Sequence, residues 1–485
     1  MRINRGFRTD RKSSEREKYH MNLMGIDVGT TSVKTAIFNE KLEMLSASNI
    51  DYTLETHEDI VEFEATRYWD IVREELDRLA VPVDALAIDT QCETLILTDE
   101  EGNPVRKAIV WLDNRATQEA EAIEARFGRK KVYEITGQPE ITATWPACKL
   151  LWVKNNEPEI WAKTQKIFLL EDYLLYKLTG QFVTEKTLQS STIYFDIHTS
   201  GWWQEMLDFI GVSTEMLPKL MDSGRLVGQY RGIKIVTGAM DQVSGAIGAG
   251  VVKKGIVSEM TGTTMVIFSP CEEVPPFLED SIIPCHYNYD GKYCLLTWSA
   301  TAGMALKWFK NAFCEGMSFD DLNVLAKDIP PGCDGLTFLP YLCGSTMPKY
   351  NPAARGSFTG LTPEHTRAHF ARSIMEAISC TLKENLEYLN LDVTQIRAMG
   401  GGANSSLWCQ MKADMTGKTM VTLENNETAC LGGAILAGVG VGCFQSVESV
   451  LDLIKVKNVY RPSGVDYSET YRNYQNADNI LNVRK

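Results

Sequence analysis

Two short segments carry residue types that could hold a polyphosphate. Near the start the chain reads Gly25-Ile-Asp27-Val-Gly29-Thr30-Thr31-Ser32-Val33-Lys34, and far downstream Ser258-Glu-Met-Thr261-Gly262-Thr263-Thr264-Met-Val266. Each is an apolar run broken by Gly-Thr-Thr and resumed, the pattern of two strands joined by a tight polar turn. Glycine lets backbone N–H groups approach an anion, and the threonine hydroxyls add donors. Asp27 beside the first turn is a candidate seat for the Mg²⁺ that accompanies a nucleotide. One such turn is an ordinary hairpin, but two in one chain suggest related halves gripping one ligand. The other nucleotide signatures are missing. There is no Gly-x4-Gly-Lys-Ser/Thr, and Gly245-Ala-Ile-Gly248-Ala-Gly250 has the wrong spacing for a dinucleotide fingerprint.

A third segment, Gly238-Ala-Met-Asp241-Gln242, follows the predicted strand at residues 233–237. A carboxylate at a strand end in a glycine-rich turn reaches a cleft floor, where it can take a proton from an attacking hydroxyl. The same position suits a helix N-cap, and the residues alone leave both roles open. Thr90-Gln91-Cys92-Glu93-Thr94 closes another predicted strand. Glu93 is either a surface charge or a buried carboxylate accepting substrate hydroxyls. Cys92 reads as a packed thiol, with no base partner in view.

These segments need strands and helices to hold them. Strands are predicted at residues 23–28, 33–38 and 43–50, a helix from Thr66, and a strand at 85–89. A hairpin around Gly102 is completed by residues 108–113, and a helical middle includes residues 149–156. The second half begins again with strands around Thr261-Gly262-Thr263. A long helix opened by Thr362-Pro363 follows, carrying Phe370, Ile374, Ile378, Leu382, Leu386 and Leu389 on one stripe. A strand at 396–399 then leads to Gly400-Gly401-Gly402-Ala403-Asn404-Ser405 and a helix ending at Gly417. Strands then helices, twice over, describe two α/β domains facing a central cleft, with the first at residues 21–245 and the second at 246–485.

The 485 residues carry a net charge of −14, which argues against nucleic acid or an anionic membrane as main partner. Twelve cysteines without a Cys-x-x-Cys pair and six scattered histidines suggest reduced thiols rather than a disulfide frame or zinc site. No apolar run approaches the ~18 residues of a membrane span. Residues 1–20, rich in Arg, Lys and Ser, read as a disordered extension without a secretory apolar segment. A cytoplasmic location is expected.

Taken together, the motifs resemble the FGGY family of carbohydrate kinases. The run from Pro146 through Lys149 and Trp152 to Asn156 is similar to its first signature, although Thr144 departs from it. Gly356-Ser-Phe358-Thr-Gly360-Leu361 followed by His369-Phe370 and Ser373-Ile374-Met375-Glu376 fits the second, and Gly400 to Ser405 resembles the adenosine motif. The resemblance implies two actin-like ATPase (ribonuclease H-like) domains and transfer of the ATP γ-phosphate, with Mg²⁺, to a sugar hydroxyl. Carried onto this sequence, it makes Asp241 the general base and Asp27 the Mg²⁺ residue. Thr30, Thr31, Gly262 and Thr263 become phosphate ligands, and Gly401, Gly402 and Asn404 the nucleoside side. Glu93, Gln242 and Cys92 become substrate-facing residues. Lys149-Leu-Leu-Trp-Val is most similar to xylulose kinases, which points to a ketopentose, D-xylulose first. Glu93 and Asp241-Gln242 resemble glycerol kinases, which keeps a glycerol or tetritol kinase as the alternative. A non-catalytic actin-like ATPase scaffold is the alternative of another class. A homodimer is the family's prior expectation.

Overall fold

The twofold restart of strands and helices becomes two sheets of one design. A computed structural model describes residues 20–279 and 282–481; the N-terminal extension expected over residues 1–20 falls almost wholly outside them. In the first half, Leu23–Val28 pairs antiparallel with Ser32–Phe38, which pairs with Met44–Asp51. On its other side Leu23–Val28 runs parallel to Ala85–Thr90, which runs parallel to Ile233–Met240. In the second half Ile256–Thr261 plays the part of Leu23–Val28. It pairs antiparallel with Met265–Cys271, then Tyr293–Ser299, and parallel with Gln395–Met399, then Thr419–Leu423. Three antiparallel strands followed by two parallel ones, twice, is the actin-like ATPase arrangement. Leu226–Tyr230 extends the first sheet, and Cys285–Tyr287 and Val456–Tyr460 extend the second.

Several elements differ from the sequence expectation. The strand expected to stop at Thr237 runs on to Met240, so Asp241 is the first residue of the helix Asp241–Gly248. The long helix is Arg367–Leu389. It opens at Thr366 in a reciprocal bond with His369, so Thr362-Pro363 lies one turn upstream. Its stripe of Ile374, Ile378 and Leu382 is fully buried, as amphipathic spacing requires. The Gly102 hairpin is completed only by Ala108–Ile109, because Val110 to Asp113 turn away. Those short strands join a separate five-stranded sheet that braces the first half.

The helix Thr428–Gly440, not anticipated from sequence, joins the halves. It comes from the second half but packs on Leu23–Val28 and Ala85–Thr90 of the first sheet and on the helix Asp241–Gly248. Backbone meets backbone there. A Cβ on Gly432 would fall 1.9 Å from the Ser244 carbonyl oxygen, and one on Gly25 1.8 Å from that of Cys430. A buried core of residues from both halves, including Ala36, Val243, Phe268 and Leu431, surrounds this contact. The cysteines are unpaired, and only Cys343 is exposed.

Candidate active site

The first phosphate turn is closed by Gly29 N donating to the Ser32 carbonyl at 3.0 Å. Tyr52 steadies it, its N–H donating to the Thr31 carbonyl and its hydroxyl to the Gly29 carbonyl. Thr31 is exposed, while the Thr30 hydroxyl accepts from the Trp111 indole at 2.9 Å and keeps its own proton to donate. The second turn closes through Gly262 N and the Thr264 carbonyl at 2.9 Å, leaving Gly262 and Thr263 exposed. Beneath it, the buried Lys412 ammonium donates to Glu259 at 2.9 Å and to the Thr261 hydroxyl at 2.7 Å. Lys412 sits on the helix Ser406–Thr416, so this ion pair ties the second turn to the adenosine motif.

In the adenosine motif, Gly401 and Asn404 are exposed, with open space where a Gly401 side chain would stand. Gly402 faces the other way. A Cβ there would fall 2.7 Å from the Thr261 Cβ, so the protein's own packing demands this glycine. Ser405 caps the helix by accepting from Trp408 N, which leaves Asn404 uncommitted by the cap.

Asp241 sits where strand becomes helix, its carboxylate accepting from Gln242 N at 2.6 Å. The strand leading to it is pinned from below. Met240 N donates to the Thr187 hydroxyl, which donates to Glu185, and Gly238 N donates to Glu171. Burial pushes the Asp241 carboxyl up to about 7, and the Asp27 charge adds to the rise. Burial likewise brings Asp27 to about 6, opposed by Lys34. Lys34 itself pairs with Glu427, at the start of the helix Thr428–Gly440, at 3.3 Å.

Glu93 follows the strand Ala85–Thr90 with a left-handed φ of 63°, a strained conformation for a side chain with a Cβ. Its carbonyl accepts from the Lys149 ammonium at 3.3 Å, and the carbonyls of Val110 and Trp111 accept from the same ammonium at 3.0 and 3.4 Å. Burial pushes the Glu93 carboxyl up to about 8, with Lys149 opposing and Asp241 reinforcing the rise. The same burial pulls Lys149 down to about 8. Cys92 is a half-buried thiol held up by burial and by the neighbouring charges of Asp241 and Glu93. Gln242 is half-buried at the helix start. Asp113, nearby in the chain, braces a turn, accepting from Val61 N at 2.7 Å and from Arg115.

The structure thus brings Asp27, Asp241, Glu93 and Cys92 into one electrostatic neighbourhood at the ends of three adjacent strands. Sequence reasoning missed four contributors: Asp89, Trp111, Lys412 and the Glu171/Glu185 pair. Asp89 was the one nearest to view, because it stands opposite Asp27 in the strand register.

Two phosphate-type turns on duplicated actin-like sheets, with carboxylates at the strand ends beside the first turn, define a phosphotransferase of the actin-like ATPase class. The sequence matches the N-terminal domain of the FGGY family of carbohydrate kinases over residues 22–250 and the C-terminal domain over residues 283–441. It is 30% identical over 452 residues to the xylulose kinase of Bacillus subtilis (strain 168), covering 88% of this chain and 89% of the relative. It is 28% identical over 482 residues to the gluconokinase of the same organism, covering 93% of each. The ligand-bound xylulose kinase of Lactobacillus acidophilus superposes with a TM-score of 0.88 at 25% identity, covering 96% of this chain and 99% of the other. The glycerol kinase of Plasmodium falciparum with ADP shares the fold, with a TM-score of 0.87 at 22% identity over 96% of this chain and 99% of its own. The chain belongs to the FGGY family of carbohydrate kinases. It is an ATP-dependent sugar kinase, which sets the scaffold alternative aside. Among the described residues no helix is long and apolar enough to cross a membrane.

Proposed function

We propose that the enzyme transfers the γ-phosphate of Mg²⁺–ATP to a terminal hydroxyl of a neutral ketopentose, D-xylulose first, with Asp241 as general base. The observation that carries the reading is the convergence of Asp241 and Glu93. Two half-buried carboxylates stand at the ends of neighbouring strands beside the first phosphate turn, close enough that the Asp241 charge raises Glu93. Glu93 accepts hydrogen bonds from substrate hydroxyls and holds the sugar in register. Asp241 takes the proton of the attacking hydroxyl, and its raised pKa suits a base working near neutral pH.

The hydroxyls of half-buried Thr30 and of exposed Thr31 and Thr263 face the β- and γ-phosphates from the two sheets, and Gly262, whose N–H closes its own turn, lets the phosphates approach closely. Gly401 and Asn404 take the nucleoside, and Gly402 holds their turn against Thr261. Asp27 suits a hard cation, being an oxygen donor at the cleft wall with a second carboxyl in reach. No cluster of three His, Cys, Asp or Glu among the described residues holds a metal unaided. A cation that arrives with its nucleotide needs only one or two carboxylates. Bound there, Mg²⁺ would neutralise charge on the transferring phosphate.

The pocket disfavours an aldonate. The Lys149 ammonium beside Glu93 is already shared among three carbonyl oxygens, so a gluconate carboxylate would have to compete for it. Glycerol or a tetritol is the second reading, favoured by Glu93 and by Gln242 next to the base.

Asp241→Asn tests the proposal. Turnover of D-xylulose should fall by about 10²–10⁴-fold while Mg²⁺–ADP binding is retained. Undiminished turnover in the variant would remove Asp241 from the role of base.

A further inference from the structure

We propose that Asp89 is a second carboxylate of the cation seat, acting with Asp27 across the pair of parallel strands. The inference rests on the reading that this cleft takes a metal–nucleotide complex.

Asp27 and Asp89 are register partners on the parallel strands Leu23–Val28 and Ala85–Thr90, so their side chains leave the sheet on the same face. Their carboxyls lie within hydrogen-bonding reach of each other. Asp27 is half-buried at the cleft, whereas Asp89 is wholly buried behind it. One Asp89 oxygen accepts from the Ser244 hydroxyl at 3.2 Å, on the first turn of the helix that Asp241 begins. The other, Oδ1, is buried with no hydrogen-bond donor among the described residues. The helix Thr428–Gly440 closes the space behind: a Cβ on Gly433 would lie 3.5 Å from Asp89 Oδ2.

A buried carboxylate beside another carboxylate, with one oxygen lacking a donor, is costly unless something positive stands next to it. Among the described residues no protein cation does so for Asp89. Lys34 is directed to Glu427, and Lys149 to the carbonyls behind Glu93. In the protein alone a proton held by burial relieves that cost; a cation entering from the cleft side with the nucleotide would take its place. Two carboxylates on one face, together with phosphate oxygens and water, match how a small hard divalent ion is held. Ser244 fixes the orientation of Asp89, so the seat is formed before the cation arrives. It also joins the cation to the helix that starts with the base.

The test is Mn²⁺ titration followed by electron paramagnetic resonance, in the presence of ADP and without sugar, on the full-length enzyme and on Asp89→Asn. The amide keeps the shape of the side chain and its bond to Ser244 but removes the charge. The expected result is a Mn²⁺ Kd raised by about 10–100-fold. Metal-free ADP affinity should stay unchanged, and the melting temperature equal or higher. Equal Mn²⁺ affinity in the two proteins, with Mn²⁺–ADP bound by both, would overturn the role of Asp89 and leave the kinase reading standing. No Mn²⁺–ADP binding by the unmodified enzyme would overturn both. Asp89→Ser serves as a second variant, keeping a polar group for Ser244 while withdrawing the carboxylate. A lower melting temperature with unmoved Mn²⁺ affinity would make Asp89 structural only.

Discussion

Asp241 ends a strand and begins a helix, and both facts shape its chemistry. The pinned strand beneath it fixes where the carboxylate points, and burial sets its pKa near 7. A base must be ionised to accept a proton, so activity is lost as pH falls through that value. The kcat/KM profile, which reports the free enzyme, should rise with pH through about 7 and level off above it. A limb near pH 4 would mean a solvated carboxylate and contradict the reading. Glu93 has a different duty. Glu93→Gln keeps the shape but halves the acceptor capacity, so KM for the sugar should rise by about tenfold with a smaller change in kcat. An unchanged KM would return Glu93 to the role of a strained turn residue.

Elements explain why part of this site was legible in the sequence and part was not. The hairpins around Gly29 and Gly262 show as apolar runs broken by Gly-Thr-Thr, because turn chemistry is local. Asp241 and Glu93 were visible because each stands as a charge at the end of a strand-like run. Asp89 was hidden inside such a run, since its meaning comes from its register with Asp27 on a strand dozens of residues away. The Thr428–Gly440 helix was hidden for another reason. It is apolar all round and rich in glycine, so it has neither a stripe nor good helix propensity. Those glycines instead let it press backbone to backbone on the first sheet and on the helix behind Asp241. Gly432→Ala should therefore destabilise the protein by about 1–3 kcal/mol, read from denaturant unfolding. Unchanged stability would mean the contact is looser than the 1.9 Å approach implies.

At the scale of the molecule, two copies of one sheet design present a phosphate turn each, and the carboxylates all belong to the first copy. Burial, with neighbouring carboxylates adding to it, raises Asp27 to about 6, Asp241 to about 7 and Glu93 to about 8. In the unfolded chain such carboxyls titrate near about 4. The folded protein therefore holds protons that the unfolded chain has released. Stability from these groups is complete below the unfolded values and is lost as pH rises through about 6 to 8. The melting temperature of the ligand-free enzyme should fall over that interval, and fall less in Asp241→Asn. A flat or rising curve would contradict the assigned shifts.

The most direct measurement is ADP release with Mg²⁺–ATP across D-xylulose, other ketopentoses, ketohexoses, glycerol, tetritols and gluconate. The account predicts turnover with a neutral polyhydroxy acceptor, D-xylulose foremost, and none with gluconate. Preferential turnover of gluconate would contradict it, because the Lys149 ammonium beside Glu93 is already held by three carbonyl oxygens.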